Sequence, residues 1–162
     1  MKAVVSDTSP ISYLAKIGEL EILPSLFGEI MVPPAVLMEL QHLQAPRELT
    51  DWRHNAPKWI RECRPQQMLL GLNLDIGETE AISLAIEHAD SLLIIDEVKG
   101  RSIAARHGIL VIGTLGLIEE ADRRGWLDFE ATLQKLRTTN FRVNDELIRP
   151  MIARVQARKM KG

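Results

Sequence analysis

Two short apolar runs in this chain each end in an aspartate: Ala3-Val4-Val5-Ser6 leads into Asp7, and Leu92-Leu93-Ile94-Ile95 leads into Asp96. A four-residue run rich in Val, Ile and Leu, bounded by polar or turn residues, reads as a buried strand of a parallel sheet. A strand covered by helices on both faces has no polar side to show. Each aspartate then stands at the C-terminal end of its strand, the edge where open α/β sheets bind ligands. Two carboxylates delivered to one such edge suggest a shared acidic site, and converging acids bind a hard cation.

Helices alternate with strands along the rest of the chain. After Asp7, Ser9 reads as an N-cap and Pro10 as the first helical residue, followed by Ile11, Leu14 and Ile17 at helical spacing. A second short helical piece lies between Gly18 and Pro24, and Glu29-Ile30-Met31-Val32 reads as a strand that stops at Pro33-Pro34. The prolines open a third helix with an apolar stripe of Val36, Leu37, Leu40 and Leu43. From Gln44 to Asn73 the text is irregular, broken by Pro46, Pro57 and Pro65, with only Lys58-Trp59-Ile60 hinting at an extended piece. A strong helix then runs from Leu74 to about His88, followed by strand 92–95, helix 98–107, strand 109–112 and helix 114–124. A short helix around Phe129 to Leu136 comes next. A last helix from Asn144 carries Leu147, Ile148, Met151, Ile152 and Val155 on one side, with Pro150 expected to kink it. The pattern predicts a doubly wound α/β fold, and no internal repeat or linker divides residues 1–162.

At 162 residues, 46% hydrophobic and 26% charged, the chain has globular proportions and is long enough to bury a core without staples. Cys63 is the only cysteine, which excludes an internal disulfide framework and a Cys-based zinc site. No run is long enough to cross a membrane, and the start shows no export signal, so the expected location is cytoplasmic. The net charge of −2 is uneven: from Arg142 to the end six basic residues face two acids, so an amphipathic, basic helix or tail begins at about residue 142. A solvated tail is favoured there over an arm that contacts phosphates.

Familiar sites are missing. There is no phosphate-binding Gly-Lys loop, no dinucleotide fingerprint around Gly113 and Gly116, no serine elbow, and no pair among His42, His54, His88 and His107 at zinc-binding spacing. Carboxylates remain. Asp7 and Asp96 end strands; Glu39 lies three residues after Val36 and four before Leu43, at the edge of an apolar face. Glu78 lies four residues before Ile82 and seven before Ala85, so it starts along an inward stripe. Each has a local explanation as well: Asp7 and Asp96 as helix caps, Glu39 as a solvated charge, Asp75-x-x-Glu78 as a capping box. Taken together, the four favour an acidic metal site.

Val4-Val5-Ser6-Asp7-Thr8-Ser9-Pro10, the Val32-to-Leu40 segment Val-Pro-Pro-Ala-Val-Leu-Met-Glu-Leu, Gly77-Glu78-Thr79-Glu80-Ala81-Ile82, and Leu92-to-Asp96 followed by Gly100-Arg101 resemble the PIN-domain ribonucleases. With Val111-Ile112-Gly113-Thr114-Leu115-Gly116, they are similar to a poorly characterised prokaryotic branch akin to VapC toxins. The resemblance implies a three-layer α/β/α sandwich with a mostly parallel central sheet, and RNA cleavage at an acidic Mg²⁺ or Mn²⁺ site. It assigns Asp7, Glu39, Glu78 and Asp96 as catalytic metal ligands. Many toxin relatives have Asp where Glu78 stands and a further acid where this chain has Val98, which leaves Glu80 and Glu97 as alternates. Glu80, about 200° around the helix from Glu78, is expected on a mixed, solvent-suited face with Leu84 and Glu87, so Glu78 is the preferred ligand.

The same resemblance implies the toxin of a toxin–antitoxin pair, with a cognate antitoxin that blocks the acidic groove and a homodimeric assembly. Lys99, Arg101 and Arg106, on the helix after Asp96, are candidate contacts to the RNA backbone. Two other readings stand beside the nuclease: a non-catalytic PIN-like module that binds RNA or protein, and, third, an Asp-based phosphatase or phosphotransferase.

Overall fold

The computed structural model describes residues 2–42 and 46–162, apart from the side chains of Glu48 and Arg53. The chain divides into two compact units, residues 1–114 and 115–162.

In the first unit, five strands form one parallel sheet: β1 (Val4–Ser6), β2 (Ile30–Val32), β3 (Ile60–Glu62), β4 (Leu92–Ile94) and β5 (Leu110–Ile112), in the order β3-β2-β1-β4-β5. The order reverses between β1 and β4, so the crevice beyond their C-terminal ends is a topological switch point. Helices α1 (Thr8–Lys16) and α2 (Ile22–Phe27) link β1 to β2, whereas α7 (Val98–Arg106) links β4 to β5 in the opposite direction. Right-handed crossovers that run opposite ways lie on opposite faces, which makes three layers. α6 (Ile76–Glu87) shares the face of α7, and Ala81, Ile82, Leu84, Ala85, Ile103 and Ala104 form a buried cluster with Val5, Leu93 and Ile95 of the sheet. The α/β/α PIN-like fold expected from the sequence is the fold found.

Local differences have local causes. α1 starts at Thr8 with Asp7 in the N-cap position, so Pro10 is its third residue and Ser9 is not the cap. The irregular stretch contains α4 (Arg47–Thr50), α5 (Trp52–Asn55) and the edge strand β3, two residues later than the Lys58–Ile60 hint and paired with β2. Leu43, counted in the stripe of α3 (Pro34–His42), lies outside the described residues.

The segment between β3 and α6 is lashed to α6. Glu87 accepts from the backbone N–H groups of Gln66 and Gln67, and Ser83 Oγ accepts from Leu69 N–H. These bonds fix the chain that delivers Asp75 to the start of α6. No described helix is long and apolar enough to cross a membrane.

The second unit contains most of α8 (Thr114–Arg123), then α9 (Phe129–Arg137) and α10 (Asp145–Lys161). α10 continues through Pro150, with Ile148 and Val155 buried. Three of its basic residues are tied down: Arg154 and Arg158 pair with Glu119, Arg158 also with Asp122, and Lys159 with Asp122 and Asp128. Of the expected stripe, Leu147 is exposed.

Candidate metal centre

Asp7 follows β1 directly, and its backbone N–H extends the ladder to Ile94 O at 2.9 Å. Its side chain is buried to 3% exposure, does not cap α1, and leaves Oδ1 with no hydrogen-bond partner. Burial pushes its pKa up to about 8; the Thr8 N–H opposes this, and the charges of Glu78, Asp75 and Glu39 add to it. An ionised carboxylate without a counter-charge is costly in such a place.

Glu39 arrives from α3, which crosses α6 antiparallel: Glu39 sits beside Gly77, and Ala35 one turn earlier beside Glu80. Its carboxylate accepts from Thr8 Oγ1 at 2.5 Å and from the Gly77 N–H at the start of α6. A Cβ on Gly77 would fall 2.8 Å from Glu39 Cδ, so only glycine leaves room for this approach. Burial raises the Glu39 pKa despite both donors, with Asp75 and Glu80 adding to the rise.

Glu78 is half-buried in the first turn of α6. Burial pushes its pKa up to about 7, helped by the charges of Asp75 and Glu97. Asp75 is the N-cap of α6 and accepts from Glu78 N–H at 2.8 Å, the capping-box reading made real. Because Asp75 also raises Asp7, Glu39 and Glu78, it belongs to the acidic group. Sequence reasoning placed it only as a cap; its position just ahead of an acid-bearing helix end was the available signal.

Asp96, at the end of β4, is engaged differently. Its carboxylate accepts from Thr114 N–H and Thr114 Oγ1, each at 2.7 Å, and the Arg101 guanidinium lies beside it. Burial raises its pKa, and these three partners offset only part of that rise. A Cβ on Gly113 would lie 2.6 Å from Arg101 Nη1 and 2.8 Å from Asp96 Oδ1, so the two motif blocks Asp96-to-Arg101 and Gly113-Thr114 make one assembly. Tyr13 of α1 is close enough for the Asp96 charge to raise its pKa, second to burial.

The alternates are occupied elsewhere. Glu80 is buried rather than facing solvent, and its carboxylate accepts from Ala35 N–H at 2.9 Å, closing the start of α3. The antiparallel crossing of α3 and α6 covers the face that looked mixed in sequence. Glu97 is the N-cap of α7, accepting from Gly100 N–H at 2.6 Å. Of the cations, Arg101 faces Asp96 rather than open surface, whereas Lys99 and Arg106 are exposed.

Among the described residues, no three His, Cys, Asp or Glu stand at ligating spacing. Asp7, Glu39, Glu78 and Asp75 are electrostatic neighbours, and Asp96 is turned to its own partners. The donor set nonetheless fits a hard divalent cation: carboxylate oxygens only, mutually repelling, with one buried oxygen unpartnered.

The sequence model of a family described as a PIN domain, DUF3368, matches residues 3–157. Among solved structures, a PilT N-terminus domain protein, SSO1118, from the hyperthermophilic archaeon Sulfolobus solfataricus P2, is 20% identical over 89% of this chain and 100% of that one, with a TM-score of 0.48. No curated protein matches the chain. PIN domains are generally nucleases that use divalent metals. The family match takes in both units and every acid of the candidate centre, and the chain belongs to the PIN-domain family.

Proposed function

We propose that this protein is a ribonuclease that hydrolyses RNA phosphodiester bonds with Mg²⁺ or Mn²⁺ held by Asp7, Glu39, Glu78 and Asp96. The observation that carries the reading is the Asp7 carboxylate: buried, unpartnered at Oδ1 and surrounded by acids at the switch point of the sheet. A fold keeps such a group when something absent from the chain itself completes it. The bound ion supplies charge neutralisation on the non-bridging phosphate oxygens and a water acidified toward hydroxide.

The residues of the chain do the positioning. Thr8 Oγ1 and Gly77 N–H aim the Glu39 carboxylate, and Asp75 fixes the backbone that carries Glu78. Thr114 and Arg101 hold Asp96 at the neighbouring strand end. An Asp-based phosphatase ranks third, because it would want a second acid two residues after Asp7, where Ser9 stands. A cognate antitoxin over the acidic site and a homodimeric assembly belong to the same proposal and rest on the family resemblance.

The test is cleavage of a labelled single-stranded RNA by purified protein with Mn²⁺ or Mg²⁺, with EDTA, and with Asp7→Asn. Cleavage that needs the ion and is lost in the variant supports the reading; cleavage by wild-type protein in EDTA contradicts it. A protein that binds Mn²⁺ and RNA but cleaves nothing would favour the binding-module reading.

A further inference from the structure

An open groove of about 740 Å³ runs along α7, lined among others by Leu72, Asn73, Glu97, Lys99, Arg106 and His107. At one end it shares Glu97 with the acidic centre, since the Glu97 charge acts on Glu78. Away from that end its charged lining is cationic. Lys99 and Arg106 are seven residues apart, two turns of helix, so they share a face and stand about 10 Å apart along it. Lys99 Nζ donates to the Asn73 carbonyl at 3.2 Å, and Arg106 makes no ion pair among the described residues. The other cation-rich element differs: Arg154, Arg158 and Lys159 of α10 are tied up with Glu119, Asp122 and Asp128.

Resting on the nuclease reading for its direction, we infer that this groove is the track of a single RNA strand running from the acidic centre, with Lys99 and Arg106 on successive phosphates. An acidic centre repels the polyanion it must hold, so cations placed just beyond it are needed to keep the strand in reach. The volume is that of a small-ligand pocket, enough for a few nucleotides of one strand. The exposed His107 ring and the Leu72 side chain offer flat and apolar surfaces for unpaired bases, a sequence-tolerant contact. Arg101, turned to Asp96, is not part of this track.

The experiment measures binding of a fluorescein-labelled 12-nucleotide single-stranded RNA by anisotropy, over a salt series, with the full chain. Lys99→Ala combined with Arg106→Ala changes only exposed side chains and is expected to weaken binding at least tenfold. Its salt slope should fall by about 1.4, roughly 0.7 for each lost phosphate contact on a single strand. Arg149→Ala combined with Lys161→Ala, on α10, should bind like wild type. Equal binding by the groove variant, an equal loss in the α10 variant, or duplex RNA bound as tightly through the same two residues would each overturn the inference. Cleavage by wild-type protein with Mn²⁺ is measured in parallel, so the two readings fail separately. Groove-dependent binding without cleavage overturns the nuclease reading alone, whereas cleavage with unchanged binding by the groove variant overturns the groove.

Discussion

Asp7 and Asp96 end adjacent strands after similar apolar runs, yet their surroundings are opposite. Asp7 has an unpartnered oxygen and acids around it; Asp96 has Thr114 on both oxygens and Arg101 alongside. Register accounts for the divergence. Ser6 is level with Ile94, which puts Asp7 level with Ile95 and Asp96 one residue beyond. By the two-residue period of a strand, Asp7 inherits the face of Val5 and Ile95, where α6 and Glu78 lie, and Asp96 starts toward the other, where Tyr13 of α1 feels its charge. Two carboxylates with one sequence signature thus have different settings: Asp7 keeps an oxygen without a partner, and Asp96 is held in place by Thr114 and Arg101, which also joins β4 to the chain after β5.

The largest effect that sharpens this contrast is on activity. Asp7→Asn and Glu78→Gln should each lower RNA cleavage at least ~100-fold, since ion-borne charge stabilisation is worth several kcal/mol. Glu80→Gln should keep activity within a few-fold and cost about 1 kcal/mol of stability through its bond to Ala35 N–H. If Glu80→Gln were the more damaging to cleavage, the division between these two glutamates would be wrong.

Stability should split the two aspartates by sign. In metal-free buffer, Asp7→Asn is expected to stabilise by about 1–3 kcal/mol, because it removes an unsatisfied buried charge. Asp96→Asn should instead destabilise by about 1–2 kcal/mol, because its paired oxygens and its attraction to Arg101 are disturbed. Urea unfolding of the two variants measures both, and shifts of the same sign would break the comparison.

The pH dependence follows from Asp7. Its folded pKa of about 8 lies above its ordinary value of 3.8, so the fold favours the protonated carboxyl. Its contribution to stability is complete below about pH 4 and is lost as pH rises through about 8. Metal-free wild-type protein should therefore lose stability between those limits more steeply than Asp7→Asn, as followed by thermal melts across the range.

A smaller effect is expected at Gly77. Gly77→Ala gains about 1 kcal/mol in helix propensity but crowds the Glu39 carboxylate, so the two contributions offset in stability. Affinity for Mn²⁺ should fall several-fold, as read by calorimetry, and an unchanged affinity would remove Glu39 from the site.

Much of the fold was legible because apolar runs and helical stripes carry period and length. The strands of the first unit and the helices from 76 onward follow that text closely. β3 was faint because an edge strand with only Ile60 buried has little apolar signal. Asp7, Glu39 and Glu78 could be picked out as acids on apolar faces, but their partners could not. Thr8, Gly77 and Asp75 matter through the crossing of α3 and α6 and the lashed segment before α6, which are tertiary facts. Glu80 shows the limit most clearly: its helix face is mixed by composition and buried by the neighbour that crosses it. Arg101 is similar, an exposed-looking helix charge that Gly113 lets reach Asp96.

The central claim is that the acids around Asp7 form a seat for a divalent cation, and thermal unfolding with and without Mn²⁺ at pH 7.5 tests it most directly. A ligand that binds only the folded state raises stability by about 2.7 kcal/mol at a hundred times its dissociation constant. The melting temperature of the wild type should rise with Mn²⁺ and return with EDTA, while Asp7→Asn should melt higher than metal-free wild type and stay there when Mn²⁺ is added. A wild type that does not respond to Mn²⁺, or an Asp7→Asn variant that responds equally, would contradict the account.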